Sequence, residues 1–99
     1  MVESVTVTQL ADLMKSATID LIDVREDFEY NADHIESAVN LPLSQFDQWA
    51  PTLDHDRHYY IICRSGRRSL EACERLKWQE NLAATNVEGG MIEWRGTIG

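Results

Sequence analysis

The chain has 99 residues, 43% of them hydrophobic, which is enough for one compact core and too few for two. Its 17 acidic and 9 basic side chains give a formal net charge of -8, so neither a nucleic acid nor an anionic membrane is expected as a partner. Apolar runs extend over only a few residues, which excludes a transmembrane helix.

The N-terminal part is predicted to form a strand, a helix and a core strand. Residues 5–7 alternate as a short strand, and Thr8 is placed to cap a helix. The apolar face of that helix carries Leu10, Leu13 and Met14. Residues 19–24 are mostly apolar and predict the first core strand, which carries Asp23 and Arg25 into the loop behind it.

The middle of the chain predicts a second short strand and a capped helix. Residues 38–41 read as the strand, which Pro42 ends. Ser44 is expected to cap a helix through Trp49, with Asp47 three residues later in the manner of a capping box. The acidic stretch over residues 23–29 is interpreted as a solvated face.

The C-terminal half predicts two more strands around a helix. Tyr59–Ile62 is a buried strand, and residues 83–87 form a last strand before a Gly-Gly turn. Between them, Leu70, Cys73 and Leu76 recur at helical spacing over residues 70–80. Strands that alternate with helices favour an α/β fold with parallel pairing, helices on both faces, and ligands at the carboxyl ends of the strands.

Residues 63–69 have the sequence Cys-Arg-Ser-Gly-Arg-Arg-Ser and join the predicted strand to the predicted helix. A thiol at this position meets backbone N–H groups and the positive end of the helix dipole, which favour the nucleophilic thiolate. Arg64, Arg67 and Arg68 add positive charge and forked donors for an anion. The segment is therefore predicted to be a nucleophile, Cys63, inside an anion cradle.

This loop is one of four segments that together resemble the rhodanese family of sulfurtransferases. Residues 21–26, Leu-Ile-Asp-Val-Arg-Glu, are followed by Phe-Glu-Tyr at 28–30, His-Ile at 34–35 and Ala-Val-Asn-Leu-Pro-Leu at 38–43. These are similar to the front half of a rhodanese domain, and residues 63–69 and 87–94 complete the family's order. The family often has a glycine and Pro-Gly where this chain has Asp33 and Glu36-Ser37, in a connecting turn.

The resemblance implies a single domain over residues 1–99, with a three-layer α/β/α fold around a five-stranded, mainly parallel sheet. It matches Cys63 to the catalytic cysteine that carries a persulfide. The loop that wraps around the sulfur is matched by Arg64, Ser65, Gly66, Arg67, Arg68 and Ser69. The family pattern ranks Arg64 and Arg68 ahead of Arg67 as anion ligands.

The implied reaction moves a sulfane sulfur from a small anionic donor such as thiosulfate to Cys63, and then to a thiol or cyanide acceptor. A thioredoxin-like or other protein sulfur partner belongs to the same expectation. No metal or organic cofactor is expected, since His34, His55 and His58 show no spacing that builds a metal site.

Two other functions stay open beside sulfur transfer. One is a rhodanese-like docking or regulatory module with vestigial catalysis, against which the intact cysteine and arginines count. The other is a cysteine-dependent phosphatase or arsenate reductase, whose cradle needs cysteine, five residues and then arginine. In this chain that position is Ser69, and the arginine comes one step early at Arg68. The shorter loop suits a sulfur atom better than a phosphate.

Other residues near the loop are given structural roles. Asp23 and Arg25 are expected to brace neighbouring loops rather than bind substrate, with Asp23 anchoring the cysteine loop from behind. Cys73 is expected to be a buried structural thiol rather than a redox partner of Cys63. The core or its edge is expected to hold Trp49, Trp78 and Trp94.

The cellular compartment is predicted from the cysteines and the N-terminus. Cys63 and Cys73 are the only cysteines, and no cationic-then-apolar leader precedes the first strand. A reducing cytoplasm suits a working thiol, so a cytoplasmic protein is expected.

Overall fold

Short apolar segments that alternate with helical ones assemble into a five-stranded sheet in the computed structural model, which describes residues 1–99. The strands are β1 (Glu3–Val5), β2 (Asp20–Asp23), β3 (Val39–Asn40), β4 (Tyr59–Ile62) and β5 (Ala84–Val87). Their order is β1-β5-β4-β2-β3, and all four pairings are parallel. The predicted α/β class and five-stranded sheet are confirmed, and the sheet is parallel throughout.

Helices cover both faces of this sheet, as parallel connections require. They are α1 (Val7–Ser16), α2 (Asp27–Ala32), α3 (Phe46–Trp49), α4 (Arg67–Glu80) and α5 (Gly90–Thr97). Two turns of 3-10 helix, Leu43–Gln45 and Ala50–Thr52, flank α3. None of the helices is long and apolar enough to cross a membrane.

Successive strand residues point to opposite faces of the sheet, so the core divides into two apolar clusters. One cluster joins α1 and α5 to the sheet and contains Leu10, Leu21, Ile62, Val87 and Met91. The other joins α3 and α4 to the sheet and contains Ile22, Phe46, Ile61, Leu76 and Ala84. Cys63 and Cys73 both belong to the second cluster, so the prediction of a buried Cys73 is confirmed.

The two helix caps predicted from the sequence are wrong. Thr6 caps α1 instead of Thr8, because its hydroxyl accepts the Gln9 N–H at 3.1 Å while the Gln9 side chain accepts the Thr6 N–H at 2.8 Å. Ser44 lies within the first 3-10 turn, and its hydroxyl donates to a carboxylate oxygen of Glu26 at 2.9 Å. The helix predicted from Ser44 to Trp49 is instead this 3-10 turn followed by α3.

Two large apolar side chains of α4 lie at the surface. Leu70, predicted at helical spacing with Cys73 and Leu76, is 38% exposed, and Trp78, expected in the core or at its edge, is 82% exposed. The buried face of α4 consists of Ser69, Ala72, Cys73 and Leu76. Trp49 is buried and Trp94 packs at the edge of the α1–α5 cluster, as the sequence predicts.

Candidate active site

Strand β4 places Cys63 at the carboxyl end of the sheet, directly after Ile62. Cys63 is only 1% exposed, although Arg64 and Ser65 beside it lie at the surface. The chain then turns at Gly66, whose φ of 103° is unfavourable for residues with a Cβ, and enters α4. The turn returns the backbone over the sulfur, so Cys63 lies at the N-terminus of a 14-residue helix.

Hydrogen-bond donors converge on the Cys63 sulfur. The Gly66 N–H donates to Sγ at 3.1 Å, and Ser69 Oγ lies 3.3 Å from it. Burial is the largest single influence on this thiol and raises its pKa. The Ser69 hydroxyl and the backbone amides of Ser69, Gly66 and Ser65 together outweigh burial, so the pKa of Cys63 lies below its ordinary value. The site therefore favours a thiolate.

The first turn of α5 holds the outer side of the cysteine loop. The Met91 N–H donates to the Cys63 carbonyl at 2.8 Å, and the Ile92 N–H donates to the Arg64 carbonyl at 3.1 Å. In a trans peptide the C=O and the following N–H point in opposite directions. Because α5 draws the Arg64 carbonyl outward, the Ser65 N–H of the same peptide group is turned inward, toward the sulfur.

Gly90 makes this contact possible. Its φ is 57°, and a Cβ added there would lie 2.4 Å from the Cys63 carbonyl oxygen and 2.5 Å from the Arg64 carbonyl oxygen. Both distances are far below van der Waals contact, and both neighbours are backbone atoms that cannot turn aside. Only glycine allows α5 to approach the loop this closely.

The three arginines of the loop have different environments. Arg68 forms a two-pronged ion pair with Glu29 of α2, at 2.7 and 2.9 Å. This hydrogen-bonded pair holds the pKa of Glu29 at about 2. Arg68 therefore ties the loop to α2, and its charge is already matched by a carboxylate.

Arg64 and Arg67 are exposed and pair with no carboxylate. Lys77, at the far end of α4, is the only other basic side chain without such a partner. The two arginines line an open depression of about 460 Å³ with Ser65, Arg68 and Glu71. Free positive charge in this acidic protein is thus concentrated beside the cysteine loop.

Ser69 and Asn86 form a polar contact beneath the sulfur. Ser69 Oγ lies 2.5 Å from Asn86 Oδ1, and the two residues are 0% and 5% exposed. Asn86 lies on β5 opposite Ile61 of β4. The sulfur, the hydroxyl and the carboxamide therefore form one buried row from the loop into the sheet.

Asp23 and Arg25 form a buried ion pair away from this row. The Arg25 guanidinium donates to both carboxylate oxygens of Asp23, and to the Asp33 carbonyl at 2.8 Å. Asn40 donates to the backbone carbonyls of Asp23 and Arg25. Neither charged side chain hydrogen bonds to the cysteine loop, so the pair braces the segments that follow β2 and α2. The predicted solvated acidic face is wrong for Asp23, which is 0% exposed, and for Glu29, which is ion-paired, whereas Asp27 is exposed as predicted.

The structure brings Gly66 and Ser69 together around the Cys63 sulfur. Arg64 and Arg67 line the open depression beside the loop, which we call the mouth of the site. The structure gives Arg68, ranked above Arg67 as an anion ligand, a carboxylate partner instead. Glu29 and Gly90 lie within the segments that resemble the rhodanese family, but no role at the site was predicted for them or for Asn86. The signals were a paired glycine and an amide within a short apolar strand, whereas the partner of Glu29 is 39 residues away.

Comparison with known proteins places this arrangement in a family. The family model of the rhodanese-like domain matches residues 6–97. "Putative sulfurtransferase YtwF" of Bacillus subtilis is 43% identical over 77% of this chain and 73% of its own length. "Putative sulfur carrier protein YrkF" of the same organism is 39% identical over 80% of this chain, but the match spans only 43% of that protein.

Solved structures agree with the family match. The crystal structure of a rhodanese-like domain protein from Staphylococcus aureus superposes with a TM-score of 0.87 at 31% identity. The match covers 93% of this chain and 90% of that one.

Replacing Gly90 tests whether α5 shapes the loop. We expect Gly90→Ala to lower the free energy of unfolding by about 2–5 kcal/mol, because the new Cβ is strained at positive φ and collides with backbone. The loop amides should also be displaced, which raises the pKa of Cys63. Gly96→Ala is the matched control: this helical glycine has open space around its Cβ, and the change should stabilise by about 0.5–1 kcal/mol. Equal effects of the two changes on unfolding would contradict this role of Gly90.

The two cysteines should differ in reactivity, which peptide-resolved alkylation with iodoacetamide across a pH series measures. In the folded protein Cys63 should react with a midpoint below that of the denatured chain. Cys73 should stay unreactive, since burial and neighbouring Glu74 raise its pKa to about 12. In denaturant the two should react alike. A folded Cys63 that titrates at or above the denatured midpoint would refute the thiolate site.

Proposed function

The chain belongs to the rhodanese-like domain family, and we propose that it is a sulfurtransferase in which Cys63 carries sulfane sulfur from a small anionic donor such as thiosulfate to a thiol or cyanide. One observation carries the proposal: a buried cysteine sulfur accepts a backbone amide hydrogen bond and contacts a serine hydroxyl, beside two unpaired arginines. Relatives named as sulfurtransferase and sulfur carrier support sulfur transfer in general.

The first half-reaction loads the cysteine. The Cys63 thiolate attacks the outer sulfur of thiosulfate, an S–S bond forms, and the S–S bond of the donor breaks. Sulfite leaves with the electron pair, and Cys63 becomes a persulfide anion. Arg64 and Arg67 supply the charge that holds the donor's anionic end. The amides of the loop face the sulfur where negative charge rests before and after transfer.

The second half-reaction removes the outer sulfur from the Cys63 persulfide. A thiolate or cyanide attacks the outer sulfur of the persulfide, and the bond to Cys63 breaks. Cys63 leaves as a thiolate, which makes the low thiol pKa useful again, because a more acidic thiol is a better leaving group. One set of donors thus serves both steps, and the chemistry needs no further cofactor.

A phosphatase reaction is less compatible with the loop. The arginine nearest the position that such a cradle requires is Arg68, and Glu29 already occupies both prongs of its guanidinium. A phosphate there would have to share the Arg68 guanidinium with the Glu29 carboxylate, which already neutralises its charge. A docking module remains the other alternative, which the loading experiment addresses.

Intact and peptide mass spectrometry after incubation with thiosulfate, without reductant, tests the proposal. We expect the mass of one added sulfur atom on Cys63, removed by cyanide or by a thiol. Cys63→Ser should take up none, while Cys73→Ser, which removes the other cysteine, should load normally. A folded protein with an alkylatable Cys63 that accepts no sulfur from any donor would overturn sulfur transfer and favour the docking module.

Charge removal at the mouth should affect donor binding selectively. We expect Arg64→Ala and Arg67→Ala each to raise the KM for thiosulfate about tenfold, the effect of one charge-assisted hydrogen bond. Unloading of preformed persulfide should change little. Lys77→Ala is the control, because it removes another unpaired charge far from the loop. If the arginine variants lose as much with a neutral sulfur donor, or if Lys77→Ala matches them, their role as anion ligands is refuted.

A further inference from the structure

The Ser69 hydroxyl lies between two groups that both need its single proton. Its oxygen is 3.3 Å from Cys63 Sγ and 2.5 Å from Asn86 Oδ1. A hydroxyl donates one hydrogen bond and accepts two. Ser69 therefore cannot donate to the sulfur and to the Asn86 carbonyl at the same time, and the protonation state of Cys63 decides which of them receives the proton.

When Cys63 is a neutral thiol, the hydrogen bonds of the row all run in one direction, from the sulfur toward Asn86. The Cys63 S–H donates to Ser69 Oγ, and the Ser69 O–H donates to Asn86 Oδ1. When the thiol proton leaves to water, the sulfur becomes an acceptor only, and the hydroxyl must turn toward it. Ser69 Oγ then faces the carbonyl oxygen of Asn86 with no proton between them, at a distance where two acceptors repel.

Asn86 can remove this conflict because its carboxamide has a donor as well as an acceptor. Rotation about its Cβ–Cγ bond exchanges Oδ1 for Nδ2. The contact with Ser69 is the only hydrogen bond of the Asn86 side chain, so the rotation breaks no other bond within the chain. After the rotation, Asn86 Nδ2 donates to Ser69 Oγ and the Ser69 hydroxyl donates to the sulfur. Both hydrogen bonds are then directed toward the negative charge.

We propose that Asn86 is a positioning residue that acts through Ser69: its carboxamide turns over when Cys63 loses its proton and directs the Ser69 hydroxyl onto the anionic sulfur. The role applies to both half-reactions, because Cys63 is a thiolate when it attacks and again when it leaves. The inference rests on the proposed function only in taking Cys63 as the nucleophile.

The position of Asn86 supports this role. It lies on β5, with Thr85 and Val87 as its chain neighbours, and it shares a sheet face with Ala84, which packs into the apolar cluster beneath α4. A buried carboxamide at such a place is unfavourable unless its polar atoms are matched. Its one side-chain hydrogen bond is with the hydroxyl that meets the catalytic sulfur, so the amide is matched only at the site.

The test measures the rate of Cys63 alkylation by iodoacetamide across a pH series, in single and double variants. The midpoint is the pH at which this rate is half of its value at high pH. Asn86→Leu keeps the approximate size and removes both polar atoms, so we expect three- to tenfold less thiolate at a fixed pH below the midpoint. Asn86→Asp keeps the shape, and its ionised carboxylate can only accept and adds a negative charge, so it should raise the midpoint further. If Asn86 merely holds the Ser69 proton as an acceptor, Asn86→Leu frees that proton for the sulfur and the midpoint falls, which would overturn the proposal.

Ser69→Ala provides the background that separates positioning from packing. Asn86→Leu should shift the midpoint no further once Ser69 is replaced, because its effect passes through that hydroxyl. The same shift in both backgrounds would refute the proposal. The alkylation rate well above the midpoint reports access to the sulfur together with the intrinsic nucleophilicity of the thiolate, and should differ by no more than about threefold among variants that keep the fold.

A second variant guards against loss of folding. If Asn86→Leu does not fold, the same cycle with Asn86→Asp decides: its shift should shrink when Ser69 is replaced, and an unchanged shift would overturn the proposal. Alkylation reports the thiolate whatever the donor, and sulfur loading is measured separately. Expected midpoint shifts in a protein that takes up no sulfur would therefore refute sulfur transfer and leave the role of Asn86 standing.

Discussion

The hydrogen bonds from the first turn of α5 to the carbonyls of Cys63 and Arg64 determine which way the peptide groups of the loop face. With the carbonyl oxygens held outside, the N–H groups are available to the sulfur, and a thiolate becomes stable in a buried position. The contact depends on three glycines at positive φ, because Gly66 packs against the Gly89 amide and Gly90 against the loop carbonyls. The turn at Gly66 and the turn at Gly89-Gly90 thus contact each other beside the Cys63 sulfur.

The distribution of charge distinguishes this site from the rest of the surface. Six of the nine basic side chains pair with carboxylates, including Arg68 of the loop itself. With a net charge of -8 the molecule repels anions at a distance, but that repulsion is screened beyond about 8–10 Å in ordinary salt. At the mouth the free charges are Arg64 and Arg67, so an anion that arrives there is attracted. The Glu29 pair fixes the loop without adding to that attraction.

The sequence predicts what depends on neighbours along the chain and fails where partners are distant. The strand, Cys63 and the following helix are continuous, and parallel strands place such a cysteine at the edge where ligands bind. The role of Arg68 depended on Glu29, which is 39 residues away. The contact between Asn86 and Ser69 depends on the pairing of β5 with β4, which the sequence does not show. The cap at Thr6 is predictable from the sequence, since Gln9 lies three residues later and the two residues form a capping box, which Thr8 lacks in this structure.

The two cysteines show how little of the chemistry comes from burial alone. Cys63 and Cys73 are each 1% exposed, and burial pushes the pKa of both upward. For Cys73 nothing opposes it, and the thiol is held neutral. For Cys63 the amides of one tight loop and one hydroxyl reverse the outcome. The same low dielectric that penalises a bare thiolate strengthens each hydrogen bond to it. A buried nucleophile is therefore sensitive to the direction of single protons, which is why the hydroxyl of Ser69 and the carboxamide behind it matter more here than they would at the surface.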